Sequence, residues 1–229
     1  MTVGRTGKRL SESIENYAKA IYALEQRDDR PVSTNALAER LHVSPASASG
    51  MVKKLHDLQL VRHVPYRGVR LTSRGRRVAL EVLRHHRLLE LYLAQSLGVP
   101  WDRVHDEAEV LEHVLSEELE DLIAAKLGNP TRDPHGDPIP TRDGVIHEAP
   151  TIALDQLGPG ATGVFVRVSD SDPEMLRYLA ARGIKPGDTF EVVDKQPFDG
   201  PLFANFNGEV HVIGGALARA MRVEQGGAA

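Results

Sequence analysis

The hydrophobic period of this chain changes once, across a proline-rich break. Up to about residue 128 the apolar residues recur at helical spacing, and from about residue 151 they alternate in short β-type runs. Between them lies NPTRDPHGDPIPTRDGVIHEAP (129–150), with four prolines ahead of Pro150 and little period of its own. A stripe at 3.6 residues buries against other helices, whereas alternation at 2.0 buries one face of a sheet. The chain is therefore expected to have a mainly α N-terminal part, a linker or extended wrap, and a small β-barrel-like C-terminal domain interrupted by one helix, PEMLRYLAAR.

The first segment reads as a nucleic-acid module. SESIENYAKAIYALEQ opens with a Ser/Glu cap pattern and places Ile14, Tyr17, Ile21 and Leu24 on one helical face. VSTNALAERLHV reads as a short helix capped by Thr34 or Asn35, and SPASASGMVKKLHDLQLV as another, opened by Ser44 with Pro45 at its first position. VRHVPYRGVRLT then reads as two strands around a turn at Arg67-Gly68. Two short helices followed by a β-ribbon make a winged helix-turn-helix, whose second helix enters the major groove of double-stranded DNA. Its small, polar first turn (Ser44, Pro45, Ala46, Ser47, Ser49) permits close approach to base edges, and Lys53, Lys54 and the wing residues Arg67 and Arg70 suit phosphates. The charge agrees: residues 1–77 carry 15 Lys+Arg against 7 Asp+Glu, while the remainder carries 13 against 25, hidden within a net charge of −4.

Composition removes several classes. With no cysteine, disulfide scaffolds, thiolate zinc fingers and iron–sulfur clusters are excluded. No apolar run approaches the roughly 18 residues of a membrane span, and MTVGRTGKRLSES lacks the apolar core of a secretory leader. A cytoplasmic protein without membrane partners is expected.

SRGRRVALEVLRHHRLLELYLAQSLG and WDRVHDEAEVLEHVLSEELEDLIAAKLG both read as long amphipathic helices. In the second, at 100° per residue, His105, Glu109, Glu112 and His113 fall at about 0°, 40°, −20° and 80°, one arc of about 100°. The first places His86 and Glu90 one turn apart, with His85 about 100° off that face. Six nitrogen and oxygen donors on two helices suit a divalent metal: Mn(II) or Fe(II) best, Zn(II) acceptably, Cu(I) poorly. No HEXXH is present, so a zincin protease is not supported. The run EELED (117–121) reads as a solvated face.

These residues together resemble the diphtheria toxin repressor family of metal-dependent transcription regulators, which includes manganese transport regulators. The resemblance spans nearly the whole chain and rests on SESIENYAKAIYALE, the helix-turn-helix through LTSRGRR, HHRLLELYL, VHDEAEVLEHVLSEEL and HGDPIP. It implies three domains: a winged helix-turn-helix over 1–78, a helical metal-binding and dimerisation domain with its linker over 79–149, and an SH3-like domain over 150–229. It implies a primary metal site of a first-helix ligand, here Asn16, or Glu12 or Glu15 in its place, with Glu109, Glu112 and His113. It implies a second site of His86, Glu90 and His105 completed from the SH3-like domain near Asp172. The second long helix carries glutamate, Glu109, where iron-sensing members have cysteine, which implies manganese; where manganese regulators have a further glutamate on the first helix, this chain has Lys19.

The reading is a homodimeric, Mn(II)-responsive DNA-binding repressor with two metal sites per subunit, no small organic substrate and no catalytic role. Leu88, Leu91, Val110 and Leu111 are candidates for the dimer contact or the subunit core. The rival in another class is a metalloenzyme built on the helix pair; against it stand the lack of a nucleophile and the separate DNA module. Iron(II) or zinc(II) response is the alternative within the family.

Overall fold

The computed structural model describes residues 10–64, 66–198 and 200–226. The basic opening of the chain (residues 1–9), which entered the charge and leader readings, and Pro65 of the wing turn lie outside these. The chain divides into two compact units, one running through His85 with 142–144, the other comprising 86–141 and the residues from Val145 onward.

In the first unit, α1 (Glu12–Asp28), α2 (Thr34–Arg40) and α3 (Pro45–Asp57) precede a hairpin of β1 (Val61–Val64) and β2 (Gly68–Leu71). The expected stripe packs inward: Ile14, Tyr17 and Ile21 join Leu37, Val52, Leu55, Leu60 and Val69 in one core. The α2 cap is Ser33, not Thr34 or Asn35. Ser33 has extended backbone and accepts from Ala36 N–H at 3.2 Å, whereas Thr34 and Asn35 already lie inside the first turn. Ser44 caps α3 as read, accepting from Ser47 N–H at 3.1 Å, with Pro45 at the first helical position.

The wing is tied to α1. Glu25, buried, accepts from Leu71 N–H at 2.9 Å. Arg70 donates to the Asp29 carboxylate at 3.1 Å and to the Asp29 carbonyl at 2.6 Å, closing off the left-handed end of α1. Desolvation pushes the Glu25 carboxyl pKa upward, against the opposing pull of the Leu71 amide and Arg70.

Helix α4 (Ser73–Leu97) contains the division between the units. In the second unit its C-terminal half packs with α5 (Val104–Leu111) and α6 (Glu117–Lys126) around Leu88, Leu91, Val104, Ala108, Leu115 and Ile123. The sequence reading took residues 101–128 as one helix; the structure breaks it at 112–116. Ser116 starts a new helix by accepting from Leu119 N–H at 3.2 Å, and Glu117, Glu118 and Glu120 sit favourably at that positive end.

The C-terminal part is an antiparallel six-stranded sheet of order β3-β8-β4-β5-β6-β7. Four strands follow the expected runs: β4 (Thr162–Val168), β5 (Thr189–Lys195), β6 (Leu202–Phe206) and β7 (Glu209–Ile213), with α7 (Pro173–Ala180) as the interrupting helix. The reading missed β3 (Ile152–Ala153), a second helix α8 (Gly215–Ala220) and β8 (Met221–Gln225), the strand that joins β3 to β4. Inward residues alternate as the pleat demands, with Leu202, Ala204 and Phe206 facing a core that includes Phe165, Phe190 and Met221.

Removing the Glu25 side chain leaves the Leu71 amide without its acceptor. Glu25→Ala is expected to lower stability by about 1–3 kcal/mol in urea unfolding. Glu25→Gln keeps an acceptor and removes the cost of a buried charge, so it should lose much less.

Candidate functional site

Helix α4 delivers His86 and Glu90 one turn apart, and both are buried. The His86 ring lies between two groups of donors. Its Nδ1 is 2.5 Å from Glu112 Oε2 and 3.6 Å from Glu109 Oε2. Its Nε2 is 3.1 Å from both Glu90 Oε1 and His105 Nδ1. His105 and Glu109 come from α5 as an i, i+4 pair. Glu112 caps α5 with helical backbone, its amide still donating to the Ala108 carbonyl at 2.9 Å, and His113 follows in the turn, with its Nε2 3.3 Å from Glu112 Oε1.

Three further donors enter from outside the helices, and the sequence reading assigned none of them. Asp170, just beyond β4, places Oδ2 3.1 Å from His105 Nδ1. Asp133 and His135, in the proline-rich segment, approach Glu90, with His135 Nδ1 3.9 Å from Glu90 Oε2. Glu90, His105 and Asp170, and likewise Glu90, Asp133 and His135, hold donor atoms all within 4.8 Å of one another, as do His86, His105 and Glu109. A turn brings the pair together: the Gly136 amide donates to the Asp133 carbonyl at 3.1 Å, and the Asp133 carboxylate accepts from the His135 amide at 2.8 Å. Asp172 is elsewhere. It caps α7, accepting from Glu174 N–H at 2.9 Å, with Pro173 at the first helical position.

The segment carrying Asp133 and His135 is clamped to β4. The Val168 amide donates to the His135 carbonyl at 3.0 Å. Gly136 has φ +89, and a Cβ there would meet Val166 O at 1.9 Å. Arg167 donates to Asp137 at 3.0 Å, and Arg87, beside His86 in sequence, donates to the Pro138 carbonyl at 2.5 Å. His135 is fixed from its other edge by Trp101, whose carbonyl lies 2.8 Å from Nε2.

The electrostatics suit a divalent cation. Glu90, Glu112 and Asp133 are buried carboxylates gathered around a few imidazoles, an arrangement that is costly without cationic compensation. Hydrogen bonds to Asp170 and Glu90 lift His105 to a pKa of about 10, so an imidazolium supplies part of that compensation. Burial pushes Glu90 and Asp170 upward, but hydrogen bonding to His105, reinforced at Glu90 by His86, outweighs it and holds both below the usual carboxylate range. Asp133 is driven up by burial and by its neighbours Asp137 and Glu90. The donors are imidazole nitrogen and carboxylate oxygen, which fit Mn(II), Fe(II) or Zn(II).

In the first unit, Asn16 lies on α1, and its Oδ1 is buried without a hydrogen-bond partner. Of the expected DNA-contacting residues, Ala46, Ser49 and Lys53 are exposed on α3, and Arg67 is exposed in the wing turn. The Ser44 and Ser47 hydroxyls are 2.8 Å apart and engaged in the helix cap, while Arg70 is engaged with Asp29.

Three family descriptions tile the chain: "Iron dependent repressor, N-terminal DNA binding domain" over residues 9–69, "Iron dependent repressor, metal binding and dimerisation domain" over 72–141, and "FeoA domain" over 152–225. The diphtheria toxin repressor of Corynebacterium jeikeium is 30% identical over 94% of this chain and 98% of its own length. The iron-dependent repressor IdeR of Mycobacterium tuberculosis is 40% identical over 57% of this chain and 56% of its own. Among solved structures, a manganese-dependent transcriptional repressor in complex with manganese aligns with a TM-score of 0.86 and 43% identity, covering 93% of this chain and 99% of that one.

A metal held by His105 would have to displace the proton that makes this ring an imidazolium at neutral pH. Mn(II) affinity measured between pH 6 and 8 is therefore expected to rise with pH, by about one log unit per pH unit for one released proton. Asp170→Ala should weaken metal binding in calorimetric titration. Asp172→Ala should leave it intact and cost only the α7 cap, about 0.5–2 kcal/mol.

Proposed function

Since this chain belongs to the diphtheria toxin repressor family, and is thus a metal-dependent DNA-binding transcriptional repressor and not an enzyme, we propose that manganese(II) is the metal to which it responds and that metal-uptake genes are its targets. The observation that carries the metal assignment is the donor set. Glu109 supplies a hard carboxylate oxygen where the resemblance places cysteine in iron-sensing members, and no sulfur accompanies the clustered donors. The likeness to a manganese-dependent repressor along nearly its full length supports this. Likeness to the mycobacterial iron-dependent repressor keeps iron(II) as the competing metal.

We assign two sites per subunit. The ancillary site draws on Glu90, His105 and Asp170, with Asp133 and His135 alongside. The regulatory site draws on Glu109, Glu112 and His113, with Asn16 as the fourth donor by family resemblance. His86 is shared between the two through its two ring nitrogens. A bound divalent cation supplies positive charge to these carboxylates, and the residues do the rest. Glu109, Glu112 and His113 hold the turn after α5 in one arrangement, and Asn16 commits α1 to the ordered form of the DNA-binding module. A state that binds the cation better is populated at the expense of the others, and if that state also fits the operator, DNA affinity rises with metal.

The repressor acts as a homodimer, its two α3 helices spaced to read a near-palindromic operator in the cytoplasm. Leu88 and Leu91 belong to the subunit core, but Val110, Val114, Leu119 and Leu122 are exposed on and between α5 and α6, an apolar face suited to the dimer contact. The three segments 1–78, 79–149 and 150–229 divide reading, sensing with dimerisation, and ligand support among them.

Binding of the chain to its own promoter DNA, followed by fluorescence anisotropy during titration with Mn(II), Fe(II) and Zn(II), tests the assignment. Mn(II) is expected to raise affinity at the lowest free concentration that cells maintain; indifference to all three metals would sink the reading. Glu109→Ala should abolish the metal response with the fold intact by circular dichroism. Glu109→Cys should move the preference toward softer metals.

A further inference from the structure

Helix α3 has a glycine in its interior that its own fold does not require. Gly50 lies in the middle of Pro45–Asp57, and it is absent from the residues with positive φ. A Cβ built on it meets nothing within 4 Å. Alanine would fit there and favour the helix, since glycine is among the poorest helix formers. Neither backbone conformation nor packing within the described chain explains the missing side chain.

Its direction does. The buried residues of α3 are Ala48, Val52 and Leu55. At 100° per residue their mean direction places Gly50 about 190° away, the centre of the outward face. Ala46 and Lys54 lie about 40° to either side of it on that face, and both are exposed. Ser47 lies to the side, and its hydroxyl is bonded to Ser44 within the cap. No long hydrogen-bonding side chain precedes Lys53 on this helix, so the usual bidentate readers of guanine and adenine are missing from its first two turns.

We propose that Gly50 is a specificity-determining residue: the bare backbone at this position receives the 5-methyl group of a thymine at a fixed place in each operator half-site. The notch excludes nothing by hydrogen bonding. It selects thymine because a methyl group fills the space a Cβ would otherwise occupy, and apolar contact with that methyl is a recognised mode of major-groove reading. The inference rests on the DNA-binding role of the family and adds which residue reads the base and which base it reads.

The test uses the full-length, manganese-loaded protein. A duplex is first enriched by it from randomised DNA, and each thymine is then replaced by uracil, which lacks only the methyl group. With the parent chain, one thymine per half-site is expected to matter, its replacement weakening binding about fourfold per half-site, the value of one buried methyl group. Gly50→Ala should bind the thymine duplex at least tenfold more weakly, prefer the uracil duplex, and melt at a higher temperature than the parent. The proposal is overturned if Gly50→Ala binds the thymine duplex like the parent, or loses affinity equally on both duplexes. Failure to enrich any sequence would remove the repressor reading itself, and this inference with it; an enriched sequence with no uracil effect would remove this inference alone.

Discussion

The donor cluster of the second unit is arranged around one buried imidazole. His86 sits with a carboxylate against each ring nitrogen, Glu112 on one side and Glu90 on the other. Neither carboxylate is solvated, so each must find cationic or hydrogen-bonding compensation inside the protein. Around Glu90 that compensation comes from the imidazoles of His86, His105 and His135, while Asp170, paired with His105, and Asp133 add further negative charge. A core made of alternating imidazoles and carboxylates is poor as a hydrophobic core and well suited to a cation.

The same cluster ties the β-domain and the proline-rich segment to the helices α4 and α5. Asp170 can reach His105 only because β4 ends where it does, and His135 is held because its carbonyl is hydrogen-bonded to β4. Gly136 marks this contact: its backbone approaches Val166 too closely for any side chain. The segment HGDPIP, whose prolines read as a linker, carries His135 into the donor cluster. In the first unit Glu25 and Arg70 act comparably, joining α1 to the wing through a buried carboxylate and a guanidinium. Arg70, read from sequence as a phosphate contact, is hydrogen-bonded to the helix end at Asp29.

Much of the site was legible because helical spacing is a local rule. His86 with Glu90, and His105 with Glu109, needed only the 3.6-residue period, and the structure keeps each pair on its helix. Glu112 keeps helical backbone at the end of α5 and so stays on that arc, whereas His113 lies in the turn that follows, before Ser116 starts a new helix. Spacing alone does not tell Asp170, which meets His105, from Asp172, which caps α7: three acidic residues stand within five positions, DSDPE, and only the chain path after β4 separates them. The Asp-Pro step did mark Asp172 as a helix cap. Strand β8 was missed because its five residues adjoin a glycine-rich tail and a short helix, which leave little alternation to count.

The sequence by itself determined the change from helical to alternating period, the basic reading module, the sulfur-free donor set and the family. Each follows from composition or from spacing within one element. Only the tertiary structure decided which acidic residue of the β-domain meets His105, that the Asp133 and His135 pair faces Glu90, and that the Ser44, Ser47 and Arg70 side chains are engaged within the chain itself. Those outcomes depend on contacts between residues far apart in the chain, where a shift of two positions changes the partner without altering the local pattern.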